Sequence, residues 1–241
     1  MSRRDRPPRF YFNLRSPYSW LAYRDLLGRY ADLAARVEWA PFWEPDEPSL
    51  KLLAEAGGEF PYTPMSRAKH LYILQDVRRL AAERGLAIGW PVDREPWWEV
   101  PHLAHLVARR RGRGAEFVAA AYRARWEEGR DICDPATVAR IGDGLGLDPA
   151  ELTGAVDDPD VRAEGARALL EIYEDGVFGV PFFVNGFEKF WGVDRLAAFA
   201  ASVAASAAAP VAGPVAAPIA APCAASVRPA AFDDGHAGGC G

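Results

Sequence analysis

The order of segments predicts an α/β fold: strand, helix and strand first, a long helical block next, then a hairpin and a closing helix. Residues 10–14, Phe-Tyr-Phe-Asn-Leu, are short and aromatic as a buried strand is, and Ser16-Pro17 follows as an N-cap with proline at the first helical position. Residues 36–43 alternate their side chains and end in proline and aromatics, as a second strand does. Strand, crossover helix, strand is the unit of a parallel sheet, which gathers ligands at its carboxyl ends. At the far end, Asn185-Gly186 separates the β-like segments 180–184 and 187–191, the strongest two-residue hairpin signal.

The first helix is expected over residues 17–33 and residues 44–61 as a connection. Thr63 caps the next helix, with Pro64 in its first turn, and the helix continues through Met65, Ala68, Tyr72, Ile73, Val77 and Leu80 to Gly85. Residues 89–98 form an aromatic loop whose prolines resist helix and strand alike. Helices follow at 100–110, 115–129, 135–144, 149–156 and 160–175, two of them marked by the cap pairs Asp134-Pro135 and Asp148-Pro149. Beyond residue 200 the chain turns to Ala, Pro, Ser and Gly. Prolines at 210, 214, 218 and 222 break that apolar run, which excludes a membrane helix and predicts a flexible tail.

A net charge of −5 over 241 residues gives no basic field for nucleic acid or an anionic membrane. Arg109-Arg110-Arg111 reads as a solvated helix end. The basic start leads into no apolar signal core, so a cytoplasmic protein is expected. Cys133, Cys223 and Cys240 are too widely separated for a disulfide framework or a zinc pattern. His102 and His105, three apart on a helix, lack a third metal ligand, so no metal is expected. Ser16 lies where the N–H groups of a helix start point outward, a geometry that favours an anion.

Three blocks carry a family resemblance: Phe10-Tyr11-Phe12 with Ser16-Pro17-Tyr18-Ser19; Ala68-Lys69 with Tyr72, Asp76 and Arg79; and a closing half made of Gly176-Val177-Phe178-Gly179-Val180-Pro181 with Phe190-Trp191-Gly192-Val193-Asp194-Arg195. In this order, over roughly residues 8–200, they resemble the DsbA-like thioredoxin superfamily, in its branch of 2-hydroxychromene-2-carboxylate isomerases and kappa-class glutathione transferases. The resemblance implies a thioredoxin-like fold with a large all-helical insertion: a discontinuous domain of residues 9–44 and 172–203 and an insertion of 45–171, with the Ala/Pro-rich composition marking 204–241 as the tail. It also implies a cis peptide at Val180-Pro181.

Redox members of the superfamily carry Cys-x-x-Cys where this chain has Ser16 and Ser19, and thiol–disulfide exchange needs sulfur at that site. The resemblance makes Ser16 the partner of a bound thiolate, from glutathione or another low-molecular-weight thiol. Val180 and Pro181 would pair with that thiol along its backbone, and Asp194 would hold its γ-glutamyl end. Two features depart from the family pattern: Val193 stands before Asp194 in place of a small polar residue, and residues 44–61 lack the glycine-rich, asparagine-bearing loop of glutathione-using members.

The catalytic set expected is Ser16, Tyr18 and Lys69, with Lys69 or Arg67 for a carboxylate and Tyr72 for a proton. Trp43, Tyr72, Trp97 and Trp98 are expected to line a pocket for a conjugated small molecule. The implied activity is a thiol-assisted isomerisation of a conjugated aromatic or polyene acid; alternatives are a kappa-like glutathione transferase and a redox-silent thioredoxin-like binding protein. A homodimer is compatible with each.

Overall fold

Four short strands make one mixed sheet in the order β2-β1-β3-β4. The computed structural model describes residues 6–61 and 65–208. Strand β1 is Arg9–Phe12, followed by helix α1 (Pro17–Arg29), a short α2 (Ala31–Ala34) and β2 (Glu38–Pro41). Seven helices follow: α3 (Glu47–Glu55), α4 (Arg67–Glu83), α5 (Glu99–Arg110), α6 (Gly114–Tyr122), α7 (Pro135–Gly144), α8 (Pro149–Thr153) and α9 (Pro159–Asp175). Strands β3 (Phe182–Asn185) and β4 (Glu188–Trp191) and helix α10 (Leu196–Ala208) close the described chain.

Register decides where a site can form. Phe12 pairs with Pro41 in parallel, Tyr11 with Phe182 antiparallel, and Phe182 with Trp191 antiparallel. The carboxyl ends of β1, β2 and β4 and the start of β3 therefore share one sheet edge. Residues 13–16, 42–44, 180–181 and 192–194 all emerge there.

Aromatics fill both faces of β1. Phe10 stacks on Phe183 at 4.9 Å, and Phe183 in turn stacks on Phe199 of α10 at 4.9 Å. All three are fully buried, and each such burial stabilises by about 1.5–3 kcal/mol. Phe12 shares the face of Phe10, and the opposite face of β1 carries the polar groups of Arg9 and Tyr11, all buried. Arg9 Nη1 lies 2.6 Å from Asp175 at the end of α9, and the Tyr11 hydroxyl donates to the same carboxylate at 2.6 Å.

Several boundaries differ from the sequence expectation. The connection at 44–61 contains α3, capped by the Asp46 side chain accepting from Ser49 N at 3.0 Å. Ser66 caps α4, while Thr63 and Pro64 lie outside the described residues, as do the first five residues and the segment 209–241 with Cys223 and Cys240. The first helical stretch breaks at Tyr30. In the hairpin Asn185 pairs with Glu188, so the turn residues are Gly186 and Phe187, with Gly186 at φ +60. Glycine at the first turn position suits such a two-residue connection. Helix α10 runs to Ala208, past the tail boundary drawn at 204, and α9 runs unbroken through the boundary drawn at 171. The helix expected over 115–129 ends in a π turn, Arg123–Glu127. No helix among the described residues is long and apolar enough to cross a membrane.

Candidate active site

The corner between β1 and α1 consumes nearly all of its own backbone donors. Asn13 N donates to Ser19 Oγ at 3.3 Å, Leu14 N to His102 Nε2 at 3.2 Å, Arg15 N to Asn13 Oδ1 at 2.7 Å, and Ser16 N to Asn13 O at 3.0 Å. Ser16 is the N-cap of α1, its Oγ accepting from Ser19 N at 3.2 Å. That bond uses a lone pair and leaves the hydroxyl proton to donate outward. Pro17 has no N–H, so Tyr18 N is the first-turn donor left without an acceptor among the described residues.

Opposite this corner the Val180–Pro181 peptide is cis. Pro181 O accepts from Gly192 N at 3.0 Å, which ties the turn bearing Asp194 to the same loop. Val180 has no backbone hydrogen-bond partner among the described residues. Its N–H and C=O are thus open to an extended ligand. The Asp194 carboxylate is exposed, 3.7 Å from Arg195 Nη2.

Helix α4 comes to the corner through Tyr18. The Tyr18 hydroxyl donates to Asp76 at 2.8 Å, and Arg79 donates to the other Asp76 oxygen at 3.0 Å. Burial, then the bond to Asp76, raises the Tyr18 pKa well above the usual phenol range, so it stays protonated. Lys69, Tyr72, Asp76 and Arg79 recur at helical spacing on α4. Tyr72 is exposed with the Arg79 guanidinium over its ring, and Lys69 is exposed without an ion-pair partner among the described residues.

The four expected pocket aromatics divide. Trp43 has no exposed surface and stacks on His102 at 5.4 Å, so it is a core residue and not a pocket wall. Trp97 is half-exposed with its Nε1 donating to Asp46 at 3.1 Å. Trp98 is almost buried, with the guanidinium groups of Arg15 and Arg125 over its ring at 5.2 and 5.1 Å. Arg125, itself buried, holds Asp93 of the aromatic loop through bonds of 2.7 and 2.9 Å. Gly89 lets this loop approach closely, since a Cβ there would lie 2.9 Å from Gly129 N.

Sequence reasoning missed the Arg15–Glu44 pair and gave His102 no role. Nothing in the spacing of residues 15, 44 and 102 signals that they meet; the register of β1 and β2 brings the first two together. His102 is neutral, burial pulling its pKa down to about 3. Cys133, the one free cysteine among the described residues, is buried and its thiol is pushed up to about 12. Cys133 is thus held as a neutral thiol and supplies no thiolate to the Ser16 corner. Among the described residues no group of three or more His, Cys, Asp or Glu is arranged for a metal ion.

A family model described as a DSBA-like thioredoxin domain matches residues 9–204. The chain is 32% identical over 196 residues to the 2-hydroxychromene-2-carboxylate isomerase of Sphingobium xenophagum, spanning 78% of this chain and 92% of that one. A solved 2-hydroxychromene-2-carboxylate isomerase shares the fold at TM-score 0.64 and 22% identity, covering 82% of this chain and 94% of its own. The cytosolic disulfide reductase DsbM from Pseudomonas aeruginosa, solved with GSH, aligns at TM-score 0.53 and 17% identity, covering 83% of this chain and 98% of its own. The mixed sheet, the serine-bearing corner and these matches place the protein: it belongs to the DsbA-like thioredoxin family, in the branch of the 2-hydroxychromene-2-carboxylate isomerases.

Proposed function

We propose that the protein is a thiol-assisted isomerase of a conjugated aromatic or polyene acid, with a glutathione-type thiol held at the Ser16 corner. The observation that carries this is the pairing of a Ser16 hydroxyl proton and a Tyr18 N–H on one side with the Val180 backbone on the other, none of them partnered among the described residues. A bound thiol supplies reversible addition to the conjugated double bond, which permits rotation and then elimination to the isomer with the thiol regenerated.

The chain's own residues set the stage for that chemistry. Ser16 Oγ–H and Tyr18 N–H donate toward sulfur at the positive end of α1, which favours the ionised form. Val180 offers one N–H and one C=O to an extended thiol peptide, as an edge strand does. Asp194 stands in the turn fixed to Pro181 O and offers a carboxylate to an ammonium group. Tyr18 donates its one proton to Asp76, which orients the phenol oxygen as an acceptor beside the corner. Sulfur is absent from both corner positions, so the site needs a stabilised thiolate and no redox pair.

Isomerisation of a conjugated enone acid, followed by its absorbance with and without glutathione, tests the proposal. Catalytic turnover that requires thiol without consuming it is the expected result. Equal turnover without any thiol would remove the thiol, and accumulation of a stoichiometric adduct would make the protein a transferase.

A further inference from the structure

The Ser16 corner carries a cation that the proposed chemistry has not used. Arg15, one residue before Ser16, commits only Nη1 to Glu44, at 2.6 and 2.5 Å from the two carboxylate oxygens. Its Nη2 and Nε find no acceptor among the described residues. The side chains of Arg15 and Glu44 remain 42% and 34% exposed, so neither is sealed from a ligand. The guanidinium lies over Trp98, which supplies an apolar face beside the charge and is itself held by Arg125.

A guanidinium is a planar fork that can bind one carboxylate through one edge and a second through another. Arg15 and Glu44 each follow a strand end by three residues, Phe12 and Pro41 being register partners, so both stand at the sheet edge that holds Ser16. We propose that Arg15 is a carboxylate subsite beside Ser16, with Glu44 as its resident counter-charge and the Nε–Nη2 edge left for a ligand carboxylate. This rests on Ser16 marking the ligand site. It carries an unusual sign: Glu44 repels the incoming carboxylate, so removing its charge tightens binding, whereas an ordinary surface ion pair has no such consequence.

Two carboxylate sources fit this chemistry, the conjugated acid or the thiol. Calorimetric titration with 2-hydroxycinnamate against its methyl ester, and glutathione against its diethyl ester, separates them. In the wild type, acid should bind more tightly than ester in at least one pair. Arg15→Gln should cut that acid-to-ester affinity ratio about tenfold, the scale of a partly solvated charge-assisted pair. Glu44→Gln should raise it about threefold. Arg111→Gln, which breaks the exposed Arg111–Glu151 pair at the other end of α5, removes the same charge and should leave it unchanged. The pair whose ratio responds identifies the source. An Arg15→Gln ratio equal to wild type in both pairs, or a Glu44→Gln ratio that falls, overturns the subsite. Saturable binding of an ester in that case leaves the Ser16 site standing, and no binding by any of the four compounds removes both. Arg15 is partly exposed, and an unchanged melting temperature confirms that the variant is folded.

Discussion

The imidazole of His102 accepts the backbone N–H of Leu14 at 3.2 Å, while its Nδ1 lies 2.7 Å from the carbonyl oxygen of Trp98. Leu14 belongs to the corner and Trp98 to the insertion, so one neutral ring joins the two parts of the fold two residues from Ser16. Tyr122 adds a second tie by donating to Asn13 O at 3.2 Å. His102→Phe keeps the stack on Trp43 and deletes the acceptor. It should lower stability by about 1–3 kcal/mol, the cost of an unsatisfied buried amide, and speed hydrogen exchange at Leu14. His102→Gln should recover part of both. Exchange at Leu14 that is the same in His102→Phe as in wild type would show that the bond does not hold the corner.

Tyr18→Phe tests the contact between corner and α4. Loss of the phenol oxygen, whose one proton goes to Asp76 and which is left as an acceptor, should lower kcat about tenfold, the scale of one hydrogen bond, while KM moves less than twofold. A wild-type kcat would reduce the Tyr18–Asp76 bond to a structural staple.

Asp175 anchors the buried pair on β1. Asp175→Ala strands the Arg9 guanidinium in the core and should cost about 3–5 kcal/mol, read by urea denaturation. A loss under about 1 kcal/mol would mean that water reaches Arg9.

Stability should have opposing pH limbs. Burial raises the Glu99 carboxyl to about 7, so the unfolded chain gives up its proton first and stability falls as pH rises from about 4.5 through 7. Burial lowers His102 and His105 to about 3, so the unfolded chain takes up protons first and stability falls as pH drops from about 6.5 toward 3. Glu99→Gln keeps the acceptor for Asp46 N and should raise the melting temperature more at pH 8 than at pH 5. An equal shift at both would place the Glu99 pKa outside that window.

Much of this architecture is legible because the chain marks it locally. The Phe10-Tyr11-Phe12 strand, the Ser16-Pro17 cap and the Asp134-Pro135 and Asp148-Pro149 starts each state their structure within a few residues. Helix α3 was equally marked, since Asp46 and Pro48 form the same kind of start, but the glycines after it read as a loop. The hairpin turn slid by one residue because strand pairing, which takes Asn185 opposite Glu188, and not the Asn-Gly dipeptide, fixes which two residues make it. Trp43 and Trp98 were not separable by sequence: both are tryptophans near strand ends or loops, and only packing decides that one meets His102 and the other two arginines. The links from Arg15 to Glu44, Leu14 to His102 and Tyr18 to Asp76 join distant segments and leave no local pattern.

The most direct test of Ser16 is the ultraviolet absorbance of the bound thiolate, titrated with pH in wild type and Ser16→Ala saturated with glutathione. A bound thiol with a pKa below that of free glutathione, rising by about one unit or more in Ser16→Ala, is the predicted result. The same pKa in both proteins would contradict the assignment of Ser16 as the thiolate's partner.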